Sequence, residues 1–99
     1  MKAPEDCQTM SDVRAGVDAL DAQLVALLAR RFGYMAAAAR IKPSRDAVRD
    51  EARKAQVIAN AEAAATSAGI PAGVVTDFWE SLVEASIAYE LTVWDRLRR

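Results

Sequence analysis

The feature that most constrains this chain is a long stretch near its start that lacks a helix-breaking proline. Between residues 11 and 42 the large apolar side chains recur at the three- and four-residue spacing of one helix face. These side chains are Val13, Val17, Leu20, Leu24, Leu28 and Met35. Ser11 is a suitable N-cap, and Pro43 disfavours helical geometry at Lys42. The pattern predicts one helix over about residues 11–42.

The length of this helix limits what the chain can fold into. At 1.5 Å per residue it is about 48 Å long, whereas a chain of this size folds to a radius of gyration of about 13 Å. The remaining residues are too few to wrap such a rod, so part of its apolar face needs a partner. A second copy of the chain is the natural partner, and we expect an intertwined antiparallel helical homodimer.

Two further helical segments follow the first. The segment over about 46–68 has a thin, alanine-rich stripe, and Gly69 after it is a suitable C-terminal cap. The segment over about 72–97 has a broad apolar face, which includes Trp79, Leu82, Val83, Ile87, Val93 and Trp94. The sequence therefore predicts a single all-α domain over residues 1–99, with three helices after a polar arm at 1–10.

Composition excludes several classes of function. The chain has no histidine and a single cysteine, Cys7, which argues against a metal centre, histidine-based catalysis and an internal disulfide. The net charge of −1 gives no reason to expect nucleic acid or an anionic membrane as a partner. Because no signal-like leader and no membrane-length apolar run is visible, we expect a cytoplasmic protein.

Three cations interrupt or border the apolar face of the long helix. Arg31 and Lys42 point within about 20° of each other around the helix axis and lie about 16 Å apart. Arg14 is about 25 Å from Arg31 along the same rod. In an antiparallel pair, Arg14 of one copy falls near Arg31 and Lys42 of the other, which gives two cationic sites for a small anion. The alternative is that all three are ordinary surface charges with packed stems.

Polar residues also stand on the apolar series of the third segment, at Ser86 and Glu90. A buried carboxylate is costly unless it is paired or protonated. Glu90 is therefore either paired with an arginine of the first helix or a functional carboxyl. In the second segment, Asp50 with Arg53 and Lys54 has the spacing of solvated helical ion pairs.

The order and spacing of these residues resemble the all-helical class of chorismate mutases and the related isochorismate-pyruvate lyases. The resemblance covers nearly the whole chain and rests on four segments. They are RAGVDALD from Arg14 to Asp21, LARR from Leu28 to Arg31 with Lys42 downstream, VRDEAR from Val48 to Arg53, and Ser86 with Glu90.

The resemblance implies a homodimer of three-helix chains with two cofactor-free active sites for a dianionic small molecule. A mutase rearranges chorismate to prephenate, a step of aromatic amino acid biosynthesis in the shikimate pathway. The rearrangement needs neither a covalent intermediate nor a proton transfer, which suits a chain without histidine.

The resemblance also implies a role for each site residue. Arg14 from the other subunit and Arg31 grip the two carboxylates of the substrate. Lys42 holds a carboxylate and donates to the ether oxygen, and Glu90 faces that oxygen from the other side. Lys42, Glu90 and Arg31 are thus the expected catalytic residues. The other binding residues are Asp50, which accepts the ring hydroxyl, Arg53, which assists a carboxylate, and Ser86, which lines the site.

Departures from the mutase pattern leave a lyase alternative open. Lys54 stands where many mutases carry a glutamate that accepts a substrate hydroxyl, and glutamine is common at the position of Glu90. The segment Lys2 to Cys7, KAPEDC, resembles the lyases, which convert isochorismate to salicylate and pyruvate in salicylate biosynthesis. By contrast, Asp50 and Ser86 follow the mutase pattern. A further alternative is a non-catalytic helical dimer that serves as a regulatory module or scaffold.

Overall fold

The computed structural model describes every residue, Met1–Arg99, and contains helices but no strands. The three long helices are α1 at Met10–Ile41, α2 at Glu51–Ala68 and α3 at Ala72–Leu97. Short 3₁₀ turns lie at Pro4–Asp6 and Arg45–Ala47. The predicted fold class, all-α with one very long N-terminal helix, is confirmed. None of the helices has the length and apolar character needed to cross a membrane.

The chain divides into two compact units, Met1–Gly33 and Tyr34–Arg99. The first unit contains the N-terminal arm and α1 as far as Gly33. The second contains the end of α1 together with α2 and α3. The single domain and the homodimer stay predictions.

The start of α1 is fixed by a capping box rather than by the predicted cap, Ser11. The Asp12 N–H donates to Thr9 Oγ1 at 3.1 Å, and the Thr9 N–H donates back to Asp12 Oδ2 at 3.3 Å. Asp12 Oδ2 also accepts from the Gln8 N–H and from Lys2 Nζ. The pKa of Asp12 is lowered, first by the Gln8 hydrogen bond and then by Lys2. The prediction for Ser11 is wrong because Thr9 supplies the capping oxygen one turn before Asp12.

The first unit leaves a large apolar surface uncovered. No residue of α1 up to Gly33 is buried. After Met10 at the start of α1, six large apolar side chains in this part of the helix are between 39% and 66% exposed, and we call them the α1 apolar face: Val13, Val17, Leu20, Leu24, Val25 and Leu27. An exposed apolar surface of this kind is compatible with the predicted dimer.

The core of the second unit lies between α2, α3 and the connection over residues 42–50. Its buried residues are Val48, Val83 and Ile87, and partly buried Val57, Ile58, Trp79, Leu91 and Trp94 pack against them. Since Val48 belongs to the connection, burying its side chain holds the connection against α3.

α2 begins at Glu51, later than the predicted start near residue 46. The residues before it form the 3₁₀ turn Arg45–Ala47, and Asp50 caps the helix by accepting the Arg53 N–H at 3.0 Å. At the other end Gly69 has φ 77° and donates its N–H to the carbonyls of Ala65 and Thr66. A left-handed glycine at this place closes α2 as predicted.

Two arginines tie the 42–50 connection to α3 by two-point contacts with carboxylates. Arg45 reaches Asp95 with Nε–Oδ1 at 2.8 Å and Nη2–Oδ2 at 3.3 Å. Arg49 reaches Glu84 with Nη2–Oε1 at 2.8 Å and Nη1–Oε2 at 3.1 Å. Hydrogen bonds from Arg49, and then from Lys54, lower the pKa of Glu84 to about 2. Arg45 lowers the pKa of Asp95 in the same way.

Candidate active site

The site begins with a polar position on the otherwise apolar face of α3. Ser86 and Glu90 are only 3% and 4% exposed, although both are polar. They are one helical turn apart and so lie on the same face of α3, as the sequence predicted. The Ser86 hydroxyl donates to the Leu82 carbonyl at 2.7 Å. This position is where the second unit buries a carboxylate.

Lys42 provides an ion-pair partner for that carboxylate. Its Nζ lies 2.7 Å from Glu90 Oε2 and donates to the Val48 carbonyl at 3.3 Å. The alignment of Nζ with Oε2 is too poor for a hydrogen bond, and Oε2 has no other hydrogen-bond donor. Oε2 is therefore held by charge, at an ion-pair distance but without a directed bond. Glu90 is therefore paired with Lys42, whereas the arginine partner named from the sequence stays a prediction.

The two members of this pair differ in their access to solvent. The Lys42 side chain is 29% exposed, whereas the Glu90 side chain is 5% exposed. Lys42 is therefore the more accessible member of the pair. An anion that reaches Lys42 would compete with Glu90 for the lysine charge.

The main chain of Lys42 is fixed as firmly as its side chain. Its N–H donates to the Ala38 carbonyl at 2.9 Å, which extends the hydrogen-bond pattern of α1 by one residue. Its carbonyl accepts from Trp94 Nε1 at 3.3 Å and from Arg98 Nη2 at 3.0 Å. Trp94 and Arg98 were not among the site residues predicted from the sequence. The feature that could have indicated them is that they follow Glu90 at four-residue intervals.

Asp50 and Arg53 lie together at the start of α2, and both are exposed. Asp50 serves as the helix cap, and Arg53 Nη1 donates to Gln56 Oε1 at 2.6 Å. These contacts give both residues a structural role. Their roles toward a substrate stay predictions.

Lys54, which replaces the glutamate of many mutases, connects α2 to α3. Its Nζ donates to Glu80 Oε1 at 2.6 Å and to Glu84 Oε2 at 2.9 Å. The hydrogen bonds that Lys54 donates, first to Glu80 and then to Glu84, raise the pKa of Lys54. Lys54 therefore stabilises the packing of α2 against α3.

Arg14 and Arg31 both belong to α1 within the unit Met1–Gly33. Arg14 is exposed, and Arg31 is half-buried. Whether they bind a substrate, and whether Arg14 acts across a dimer, stay predictions. The whole structure contains no group of three or more histidine, cysteine, aspartate or glutamate side chains that could hold a metal ion.

Comparison with known proteins places these residues in a family. Residues 13–91 match the family described as Chorismate mutase type II. The chain belongs to this family. The match to the type II chorismate mutases includes every candidate site residue from Arg14 to Glu90, and it confirms the resemblance seen in the sequence.

One relative of the chain has a different activity in its name. The present chain is 32% identical over 98 residues to an isochorismate pyruvate lyase of Pseudomonas aeruginosa. The alignment covers 99% of the present chain and 97% of the lyase. The similarity therefore extends over nearly the whole of both chains.

Proposed function

We propose that the protein is a chorismate mutase, which rearranges chorismate to prephenate without a cofactor. The observation that carries the proposal is the Lys42–Glu90 pair, in which a partly exposed lysine side chain meets a buried carboxyl on the apolar face of α3. The family match supports a reaction of this type, and the pair supplies the charge that the reaction needs.

The chemistry asks for charge and shape rather than for a nucleophile. In the rearrangement the ether C–O bond breaks while a new C–C bond forms, and no proton is exchanged. Negative charge develops on the ether oxygen as its bond to carbon lengthens. A fixed ammonium group beside that oxygen stabilises the transition state more than the ground state, which is what raises kcat. Lys42 is the residue to which we assign this role.

The other cations are assigned to binding. Arg31 and the Arg14 of a second subunit grip the two carboxylates, since a guanidinium group can make two parallel hydrogen bonds to a carboxylate. Holding a flexible dianion in its compact, reactive form lowers the entropic part of the barrier. The exposed α1 apolar face supports the dimer that brings such an Arg14 to the site.

The second candidate is an isochorismate pyruvate lyase. The observation that favours it is the 32% identity to the Pseudomonas aeruginosa lyase across nearly the whole of both chains. Both reactions act on a similar dianion and break a carbon–oxygen bond, so one cationic pocket serves either. We favour the mutase over the lyase because Asp50 and Ser86 follow the mutase pattern.

One assay separates the candidates. Purified protein is incubated with chorismate and, separately, with isochorismate, and prephenate, pyruvate and salicylate are followed. We expect prephenate from chorismate as the main activity. Fast release of pyruvate and salicylate from isochorismate with little prephenate would show the lyase instead, and no product from either substrate would leave a non-catalytic helical protein.

The Lys42→Ala variant extends this assay to mechanism. Removing an electrostatic donor to the transition state typically lowers kcat by at least about 10²-fold. Lys54→Ala is the matched control, because Lys54 is bound to Glu80 and Glu84 rather than to Glu90. A Lys42→Ala loss expressed only as a higher KM would contradict the assigned role.

A further inference from the structure

A stripe of four residues on α3 faces the end of α1. Ser86, Glu90, Trp94 and Arg98 follow one another at four-residue intervals, Arg98 being the C-cap of α3. Such spacing places them along one side of a helix. The last three all contact Lys42: Glu90 binds its ammonium group, and Trp94 and Arg98 bind its carbonyl.

The contacts of Arg98 satisfy the C-terminal end of α1. The last carbonyls of a helix have no partner within the helix. Arg98 Nη1 donates to the Ala39 carbonyl at 3.0 Å, and Nη2 donates to the carbonyls of Arg40 at 3.4 Å and Lys42 at 3.0 Å. One guanidinium group thus serves three carbonyls, and its positive charge lies at the negative end of the helix dipole.

Trp94 holds the guanidinium group in place. The Arg98 Cζ lies 4.2 Å from the centre of the Trp94 ring, a stacked cation–π geometry. The same ring donates from Nε1 to the Lys42 carbonyl at 3.3 Å. Lysine could supply the charge of Arg98, but only the flat guanidinium fork can both stack on the ring and reach several carbonyls.

We propose that Trp94 and Arg98 are positioning residues, which set the main chain of Lys42 so that its ammonium group points at the reacting bond. This rests on the proposed function, in which Lys42 acts on the substrate. Lys42 is followed by Pro43, which disfavours helical geometry at Lys42, so α1 does not continue beyond this point. Without the two donors, the Lys42 carbonyl and the direction of its side chain lose their anchor.

A purely structural cap is the competing explanation. It predicts that loss of Arg98 lowers stability and reduces activity to the same extent whether or not Lys42 is present. Positioning predicts instead that the effect on kcat disappears once Lys42 is gone. A double-mutant cycle separates the two, because coupled residues are non-additive.

The experiment measures kcat and KM for Arg98→Ala, Trp94→Phe and the control Arg96→Ala, each in the wild-type chain and in Lys42→Ala. Misplacing a catalytic group by about 1 Å costs about 10²-fold, so we expect Arg98→Ala to lower kcat by about 10- to 100-fold. Trp94→Phe keeps an aromatic ring but removes the Nε1 donor, and it should lower kcat less than Arg98→Ala does. Neither change should lower kcat further in Lys42→Ala, and Arg96→Ala should have no effect in either chain.

An equal loss of kcat in the wild-type and Lys42→Ala chains, or no loss in either chain, would overturn the positioning role. If Arg98→Ala fails to fold, the Trp94→Phe cycle decides by the same criterion. NMR relaxation of the Lys42 amide gives a readout that does not need activity: its order parameter should fall in Arg98→Ala but not in Arg96→Ala. If the wild type converts neither substrate, the proposed function fails, and an unchanged order parameter would then overturn the positioning separately.

Discussion

Glu90 is a charged side chain in a mostly apolar core, and Lys42 makes its burial tolerable. Burying an unpaired carboxylate is costly, and the 2.7 Å contact with the lysine ammonium group offsets part of that cost. The pair is poorly aligned for hydrogen bonding, so the offset comes from charge. Lys42 is therefore paired with Glu90 when no substrate is bound, and its partly exposed side chain would be available to an anionic substrate.

The Glu90→Gln variant tests what the carboxyl does during the reaction. An ionised carboxylate beside an ether oxygen that is gaining negative charge opposes the reaction, whereas a protonated carboxyl or an amide N–H donates to it. We therefore expect Glu90→Gln, whose amide N–H can donate to that oxygen, to keep kcat at neutral pH at or above the wild-type value.

Glu84→Gln is the matched control for that experiment. It makes the same chemical change on α3, at a residue whose partners are Arg49 and Lys54 rather than Lys42. It should leave kcat at neutral pH unchanged. A folded Glu90→Gln chain that is inactive, while Glu84→Gln is still active, would contradict a donor role for the side chain at this position.

At the scale of helices, much of the fold could be predicted because helix patterns are local. The three- and four-residue spacing of apolar residues predicted all three helices. Gly69 ends α2, as the sequence also predicted. Errors arose at the helix starts, where several residues compete: Thr9 caps α1 instead of Ser11, and Asp50 caps α2 after a separate 3₁₀ turn.

The candidate site was less predictable, because its contacts join residues far apart in sequence. Local spacing placed Ser86 and Glu90 on one buried face. It did not show that Arg98 would cap α1, or that Lys54 would bind Glu80 and Glu84 of α3 rather than pair within its own helix. Such pairings depend on how helices pack, and no periodicity within one helix encodes them.

Contacts between α3 and the 42–50 connection also lead to a pH prediction for stability. Arg49 and Lys54 lower the pKa of Glu84 in the folded chain from 4.5 to about 2. A carboxyl whose folded pKa is depressed adds stability above its unfolded pKa and loses it as the pH falls through the folded value. We therefore expect Glu84→Gln to lower the urea midpoint at pH 7. The difference from wild type should shrink as the pH falls from about 4.5 towards about 2.

Denaturation in urea at several pH values measures this difference directly. Ser81→Ala is a suitable control, since it changes an exposed polar residue of the same helix and should show the same pH dependence as wild type. A Glu84→Gln deficit that stays constant from pH 7 to the acid range would show that the charge of Glu84 is not what stabilises the connection.

At the scale of the whole molecule, α1 exposes more apolar surface than an isolated chain of this kind normally leaves uncovered. The α1 apolar face lies in the same unit as Arg14 and Arg31, the two proposed carboxylate-binding residues. A second copy that covers this face in the antiparallel sense would bring its Arg14 towards Arg31 and Lys42 of the first. The proposed function and the proposed dimer are therefore linked, because neither chain would form a complete site alone.

Complementation between two inactive variants tests this account most directly. Arg14→Ala and Lys42→Ala chains are refolded separately and as an equal mixture, and conversion of chorismate is measured. In a heterodimer one site carries both substitutions and the other is intact. We expect each variant alone to keep about a hundredth of wild-type activity or less, and the mixture to recover up to about a quarter of wild-type activity, by two-fold symmetry. A mixture in which heterodimers are confirmed but no activity returns would contradict a site built from two subunits around Lys42.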